Sequence, residues 1–185
     1  MSASCQSSAD TIALEIVTPD GPKLKEAVNE LTAPSVQGEF GVLPQHRPML
    51  AALATGIVTY VQDGKSQSVA VGPGFVEVAA DKALLLTDRF IKKDDVDAVR
   101  ARLELKEVDE ALDHFKGDPD SAEYAALVER ELWAAAQLEL HGDPPPPRIR
   151  NVSSLGAHED YSKAAEAEGD SEGEAAPHAE DGAKH

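Results

Sequence analysis

The hydrophobic period of this chain changes once, at Lys92-Lys93-Asp94-Asp95, and that change limits the available folds more than any other feature. Before it, apolar residues alternate or run in short blocks cut by turn signals; after it, they recur at spacings of three and four. A strand-built unit must therefore precede a helical one. With 185 residues in all, the chain has room for one small domain, an appendage and a tail.

Ile12, Leu14 and Ile16 alternate with Ala13 and Glu15, as a strand with one buried face requires, and Pro19-Asp20-Gly21-Pro22 stops it. A weaker run over residues 27–33 is closed by Pro34, and residues 49–53 and 56–62 read as further strands. Asp63-Gly64 is the sharpest hairpin signal, since both central residues of a type I′ turn need positive φ. The return strand passes Gly72-Pro73-Gly74, a predicted bend or bulge, resumes at Phe75-Val76-Glu77-Val78, turns at residues 79–82 and ends with Ala83-Leu84-Leu85-Leu86-Thr87. Short strands at this spacing predict a β-sandwich or barrel over residues 10–91, after a disordered stretch at 1–9.

Ala98, Ala101, Leu105, Val108, Leu112 and Phe115 then mark one stripe of a helix, with Asp94, Asp95 and Asp97 at its positive end and Gly117 as its expected cap. Asp118-Pro119 is expected to start a second helix, whose stripe of Val128, Leu132, Ala135 and Leu138 runs to His141-Gly142. So short a connection predicts an antiparallel hairpin over 92–142. Trp133 falls off the stripe and reads equally as a partner anchor or as packing. The fold class is α+β: a sandwich, a two-helix hairpin, and from residue 143 a proline-started acidic tail too poor in large apolar residues to order itself.

The formal charge of -17 excludes nucleic acid and an anionic membrane surface as main partners. No run approaches the roughly 18 apolar residues of a membrane span, so membrane association has to pass through another protein. Cys5 is the one cysteine, which rules out an internal disulfide, and neither a basic nor an apolar segment precedes it to suggest a leader or lipid anchor.

Residues 38–50 concentrate glycine, proline, Glu39, His46 and Arg47 into a shaped, outward-facing loop. Glu39 with His46 can be read as an acid–base pair or the start of a metal site, but no nucleophile or further ligand stands at a useful spacing. An interaction loop is the better reading, with no catalytic residue, metal or cofactor. Gly72-Pro73-Gly74 lacks the lysine and following helix of a phosphate loop.

The sequence resembles the epsilon subunit of F-type ATP synthase at three points in the family's order. These are Gly38-Glu39-Phe40-Gly41-Val42-Leu43-Pro44 with His46 and Pro48, then Gly74-Phe75-Val76-Glu77-Val78, then Val96-Asp97-Ala98-Val99-Arg100-Ala101. That resemblance, over roughly residues 10–141, implies a non-catalytic central-stalk subunit that binds gamma and the c ring and couples proton-driven rotation to ATP synthesis. It implies a place on the cytoplasmic face of a bacterial inner membrane, peripheral through the complex. Glu39 and His46 match the positions that face the c ring.

The hairpin, by the same resemblance, can reach the alpha/beta catalytic head and regulate hydrolysis, and Asp97 with Arg100 matches a nucleotide-binding pattern for regulatory ATP. The chain departs from that pattern where ATP-binding relatives add arginines: Glu107 stands one heptad after Arg100, and Arg130 is the second helix's one base. An ordinary pair on the first turn of the helix is the competing reading. A free-standing sandwich module with an acidic regulatory tail is the alternative to the stalk subunit as a whole.

Overall fold

A computed structural model describes residues 11–79 and 81–146. The disordered N-terminus expected at 1–9 and the tail from residue 147 lie outside the described residues. Ten strands come first: β1 (Ile12–Thr18), β2 (Gly21–Val28), β3 (Glu30–Ser35), β4 (Gly38–Val42), β5 (Met49–Leu53), β6 (Gly56–Gln62), β7 (Lys65–Val71), β8 (Gly74–Ala79), β9 (Lys82–Thr87) and β10 (Phe90–Lys92). A 3-10 turn (Lys93–Asp95) leads to α1 (Ala98–Asp113) and α2 (Ala122–His141).

The strands form one folded-over sheet in the order β10-β7-β6-β3-β5-β8-β9-β1-β2, with β4 on the other edge of β3. Strand β3 is shared between two layers. Its first half pairs with β6 through Leu31 and Tyr60, whereas its last residue, Ser35, pairs with Leu53 of β5. Among the described residues every strand pairing is antiparallel except β1 with β9. The inward residues Ile12, Leu14, Ile16, Leu31, Val42, Leu53, Val58, Val76 and Leu85 are essentially sealed from water and make the core between the layers.

Asp63-Gly64 turns with φ of 50° and 74°, and Gln62 faces Lys65, as the hairpin signal requires. Residues 27–33 do not make one strand: the chain turns at Asn29 between β2 and β3, and β2 already starts at Gly21, immediately after the Pro19-Asp20 turn. Gly72-Pro73-Gly74 joins strands in different layers, so the bend is a crossing between layers rather than a kink within one strand. A Cβ on Gly74 would run into the carbonyl of Leu86, which explains the glycine there. The sheet's irregularity falls elsewhere, between Ile16 and Val17 where β1 meets β2.

Two expected helix ends move. Helix α1 stops at Asp113 with His114 as its cap, and Gly117 lies in the connection. Helix α2 is capped by Ser121, whose Oγ accepts from the Tyr124 N–H at 3.3 Å, not by Asp118. Asp118 instead accepts from the Asp120 N–H at 2.9 Å, a local turn that competes with helix initiation. Gly142 closes α2 in the left-handed conformation, at φ 103°.

Helix α2 lies against β6 and β7, and α1 packs along α2. Because α2 is covered from two sides, its buried residues are Ala134, Ala136, Leu138 and Leu140, not a single stripe, and Leu132 is 42% exposed. Ala136 and Leu140 meet Ala70 on the sheet, with Ile57, Ile91, Val96 and Trp133 around them. Trp133 is thus a packing residue, with the Arg89 guanidinium 5.6 Å above its ring. Thr55 Oγ1 donates to Glu129 Oε2 at 2.8 Å and ties the β5–β6 turn to α2.

Candidate docking face

The hairpin covers the outer surface of one layer, and the outer surface of the other carries exposed apolar side chains. Strand register shows how they come together. On β8, Val76 and Val78 point into the core, so Phe75 and Glu77 point out. Ala52 of β5 stands opposite Phe75, Phe75 opposite Leu86 of β9, Leu86 beside Val17 of β1, and Val17 opposite Pro22 of β2. One apolar row therefore crosses five strands. The next row reads Leu50, Glu77, Leu84, Glu15 and Lys25. Leu50 is 72% exposed, Phe75 58% and Leu86 47%, and Val36, whose N–H donates to Ala52 O at 3.3 Å, extends the patch.

A surface of this kind on a small domain marks a contact with another macromolecule. Sequence reasoning did not single it out. The available signal was parity: Phe75 and Leu86 are large apolar residues on the outward phase of strands whose inward phase was already filled.

Charge on this face is arranged sparingly. Lys82 Nζ lies 3.0 Å from Glu15 Oε2, and this hydrogen bond and attraction hold the Glu15 carboxyl below its ordinary range. On the other layer, burial, helped by nearby Glu26, pushes the Tyr60 phenol up, and its hydroxyl donates to Gln67 Oε1 at 3.3 Å.

The predicted loop at 38–50 is half strand. Glu39 sits exposed on β4 opposite Pro34, and only residues 43–48 are irregular. There the His46 N–H donates to Leu43 O at 3.1 Å, and His46 Nδ1 lies 2.9 Å from Arg47 O. Gln45 holds φ at 64°, stabilised by its N–H donating to Asp81 Oδ1 at 2.7 Å. This bond fastens the loop to the β8–β9 turn and makes a rim at one end of the sandwich. Glu39 and His46 contribute to β4 and to that rim respectively, and no hydrogen bond or ion pair joins them among the described residues. Among the described residues no group of three or more His, Cys, Asp or Glu is placed to hold a metal.

Asp97 caps α1: its Oδ1 accepts the Arg100 N–H at 3.0 Å. The Arg100 side chain lines a shallow cavity of about 270 Å³ with Leu103, Glu104, Glu107 and Arg130. Arg130 Nε is 3.4 Å from Glu104 Oε1. Two arginines thus face two glutamates, and the local charge is balanced without an anion.

A two-layer sandwich with a helical hairpin on one face and an apolar docking surface on the other defines a small subunit built to sit against larger neighbours. Residues 11–93 match the family described as the ATP synthase, Delta/Epsilon chain, beta-sandwich domain. The chain is 39% identical over 130 residues to the ATP synthase epsilon chain of Nitratidesulfovibrio vulgaris, covering 70% of this chain and 95% of that one. It is 40% identical over 129 residues to that of Magnetococcus marinus, covering 69% and 92%. A chain of the Euglena gracilis mitochondrial ATP synthase, solved with OSCP, F1 and c-ring, shares the fold at 22% identity and a TM-score of 0.55, covering 77% and 84%. The chain belongs to the ATP synthase epsilon chain family. Among the described residues no helix is long and apolar enough to cross a membrane.

Proposed function

We propose that this chain is the non-catalytic central-stalk subunit of an F-type ATP synthase that packs on gamma through the open face of its sandwich and rests on the c ring through the rim. Kinship to epsilon chains supports the stalk role. The observation that carries the contact with gamma is the apolar row from Ala52 through Phe75 and Leu86 to Val17. Attachment through such neighbours makes the subunit peripheral to the membrane, on the cytoplasmic face of a bacterial inner membrane. Co-purification tests the assignment: affinity-tagged chain should bring down gamma, and gamma's absence from an intact complex would refute it.

Glu39 and His46 supply polar contacts to c-ring loops in this reading, holding the subunits in one orientation while torque passes. Regulation by the hairpin is a separate matter of energetics. Among the described residues its seat on the sheet is a small cluster, with Ala70, Ala136 and Leu140 buried and Ile57, Ile91, Val96 and Trp133 partly buried around them, so release of the hairpin competes within a few kcal/mol. The helices are strongly acidic, which opposes insertion against acidic loops of a catalytic head. Weak inhibition follows. ATP finds Asp97 committed to capping and Arg130 paired with Glu104, so millimolar ATP is expected to produce no heat on titration; saturable binding would restore the sensing role.

A further inference from the structure

The open face carries one charge that its own chain leaves unanswered. Glu77 points outward from β8, and the four outward positions around it are all apolar: Phe75 and Ala79 along the strand, Leu50 opposite on β5 and Leu84 opposite on β9. Among the described residues its carboxylate makes no hydrogen bond or ion pair. The lysines of this face serve another acid. Lys82 stands diagonal to Glu77 in register but turns its ammonium to Glu15, 3.0 Å away, and Lys25 faces Glu15 across the β1–β2 pairing. Glu15 lies two strands from Glu77, about 10 Å at the usual strand spacing.

In water an unpaired carboxylate keeps its hydration and costs nothing. Under a partner that covers Leu50, Phe75 and Leu84 it loses that hydration, and a dry carboxylate without a cation opposes binding strongly. We propose that Glu77 sets the specificity of this face by requiring a lysine or arginine of gamma directly over it, within the apolar ring of Leu50, Phe75, Ala79 and Leu84. This inference rests on gamma as the occupant of the face. Charge complementarity selects that kind of partner: a wholly apolar surface leaves the carboxylate unpaired, and a second copy of this chain brings a formal charge of -17 of its own.

The division of labour follows from the register. Apolar area supplies attraction but tolerates sliding, whereas the ion pair fits one position. A shift of one strand puts the cation on Leu50 or Leu84, and a shift of two residues along β8 puts it on Phe75 or Ala79. Either leaves both charges unpaired, so Glu77 fixes how the sandwich is oriented on its neighbour.

The test is a substitution whose effect changes sign with the partner's chemistry. If nothing basic faced position 77, Glu77→Leu would enlarge the apolar surface and tighten binding to purified gamma. With a cation over it, Glu77→Leu should raise Kd by about 30-fold or more, mainly through faster dissociation, and Glu77→Lys should raise it further. Both variants should unfold in urea at the original midpoint, because position 77 faces outward. In the Glu77→Lys background, changing gamma's lysines and arginines singly to glutamate should find one change that restores Kd to within about three-fold of the unsubstituted pair. Unchanged or tighter binding by Glu77→Leu would overturn the proposal, as would the lack of any restoring change in gamma. Phe75→Ala measured alongside separates the two levels. If it weakens binding while Glu77→Leu does not, the cation alone is refuted; if neither weakens it, gamma does not occupy this face and both readings fall.

Discussion

Phe75→Ala separates a docking role from a folding role. Phe75 is 58% exposed, and a phenylalanine presents about 150–250 Å² in all, so about 100–120 Å² is open to be covered by a partner. At about 25 cal/mol per Å², its burial against gamma is worth about 2.5–3 kcal/mol, of which alanine retains about a third. The variant should therefore bind gamma with about 1.5–2 kcal/mol less free energy, about a 10–30-fold rise in Kd. The fold should hardly notice, since an outward strand position alters stability by less than about 1 kcal/mol. Leu85→Ala is the contrast: Leu85 is fully buried in the core, and its truncation should cost about 2–5 kcal/mol of stability. Calorimetric titration with purified gamma and urea unfolding read the two quantities separately. A Phe75→Ala protein that binds gamma as tightly as the original, at unchanged stability, would refute the docking face.

Replacing Glu39 and His46 together by alanine should lower ATP-driven proton pumping of reconstituted complexes while leaving the thermal unfolding midpoint within about 2 °C, since neither side chain is buried in the core; undiminished pumping would remove them from the coupling contact. Deleting residues 93–185 should raise the ATPase rate of the assembled enzyme less than two-fold, because the acidic hairpin is a poor inhibitor; a several-fold rise would show otherwise. Glu15 should titrate below its ordinary value of 4.5 and return toward it in Lys82→Met, read by carboxyl NMR. A depressed folded pKa contributes stability above the unfolded pKa that is lost as pH falls through the folded one. The variant's stability deficit should accordingly be present at neutral pH and vanish in acid.

Strand order along the chain was legible because the buried positions of β1, β8 and β9 alternate cleanly, and Asp63-Gly64 admits few other conformations. The strand character of β4 was obscured by Gly38 and Gly41, although Phe40 and Val42 carry the alternation. Helix ends were misread where two capping residues compete: Asp118 stands ahead of proline, but its carboxylate folds back on Asp120, and Ser121 takes the cap. The stripe on α2 was misplaced because a single apolar face was assumed, whereas α2 is enclosed by α1 and the sheet. Leu84-Leu85-Leu86 reads in sequence as a buried run. Parity alone distinguishes the three, and the pairing of β9 with β1 and β8 fixes it, with Leu85 in the core and Leu86 on the surface. Partner surfaces are hard to read from one chain for this reason, since the residues that fill a core and those that await a neighbour are of the same kind.

The most direct measurement is site-specific photo-crosslinking within the assembled ATP synthase, with the photoreactive residue at position 75 on the open face or at position 132 on the exposed side of α2. The account predicts a gamma adduct from position 75 in isolated membranes, and a far weaker one from position 132. No gamma adduct from position 75, or an equal yield from both positions, would contradict it.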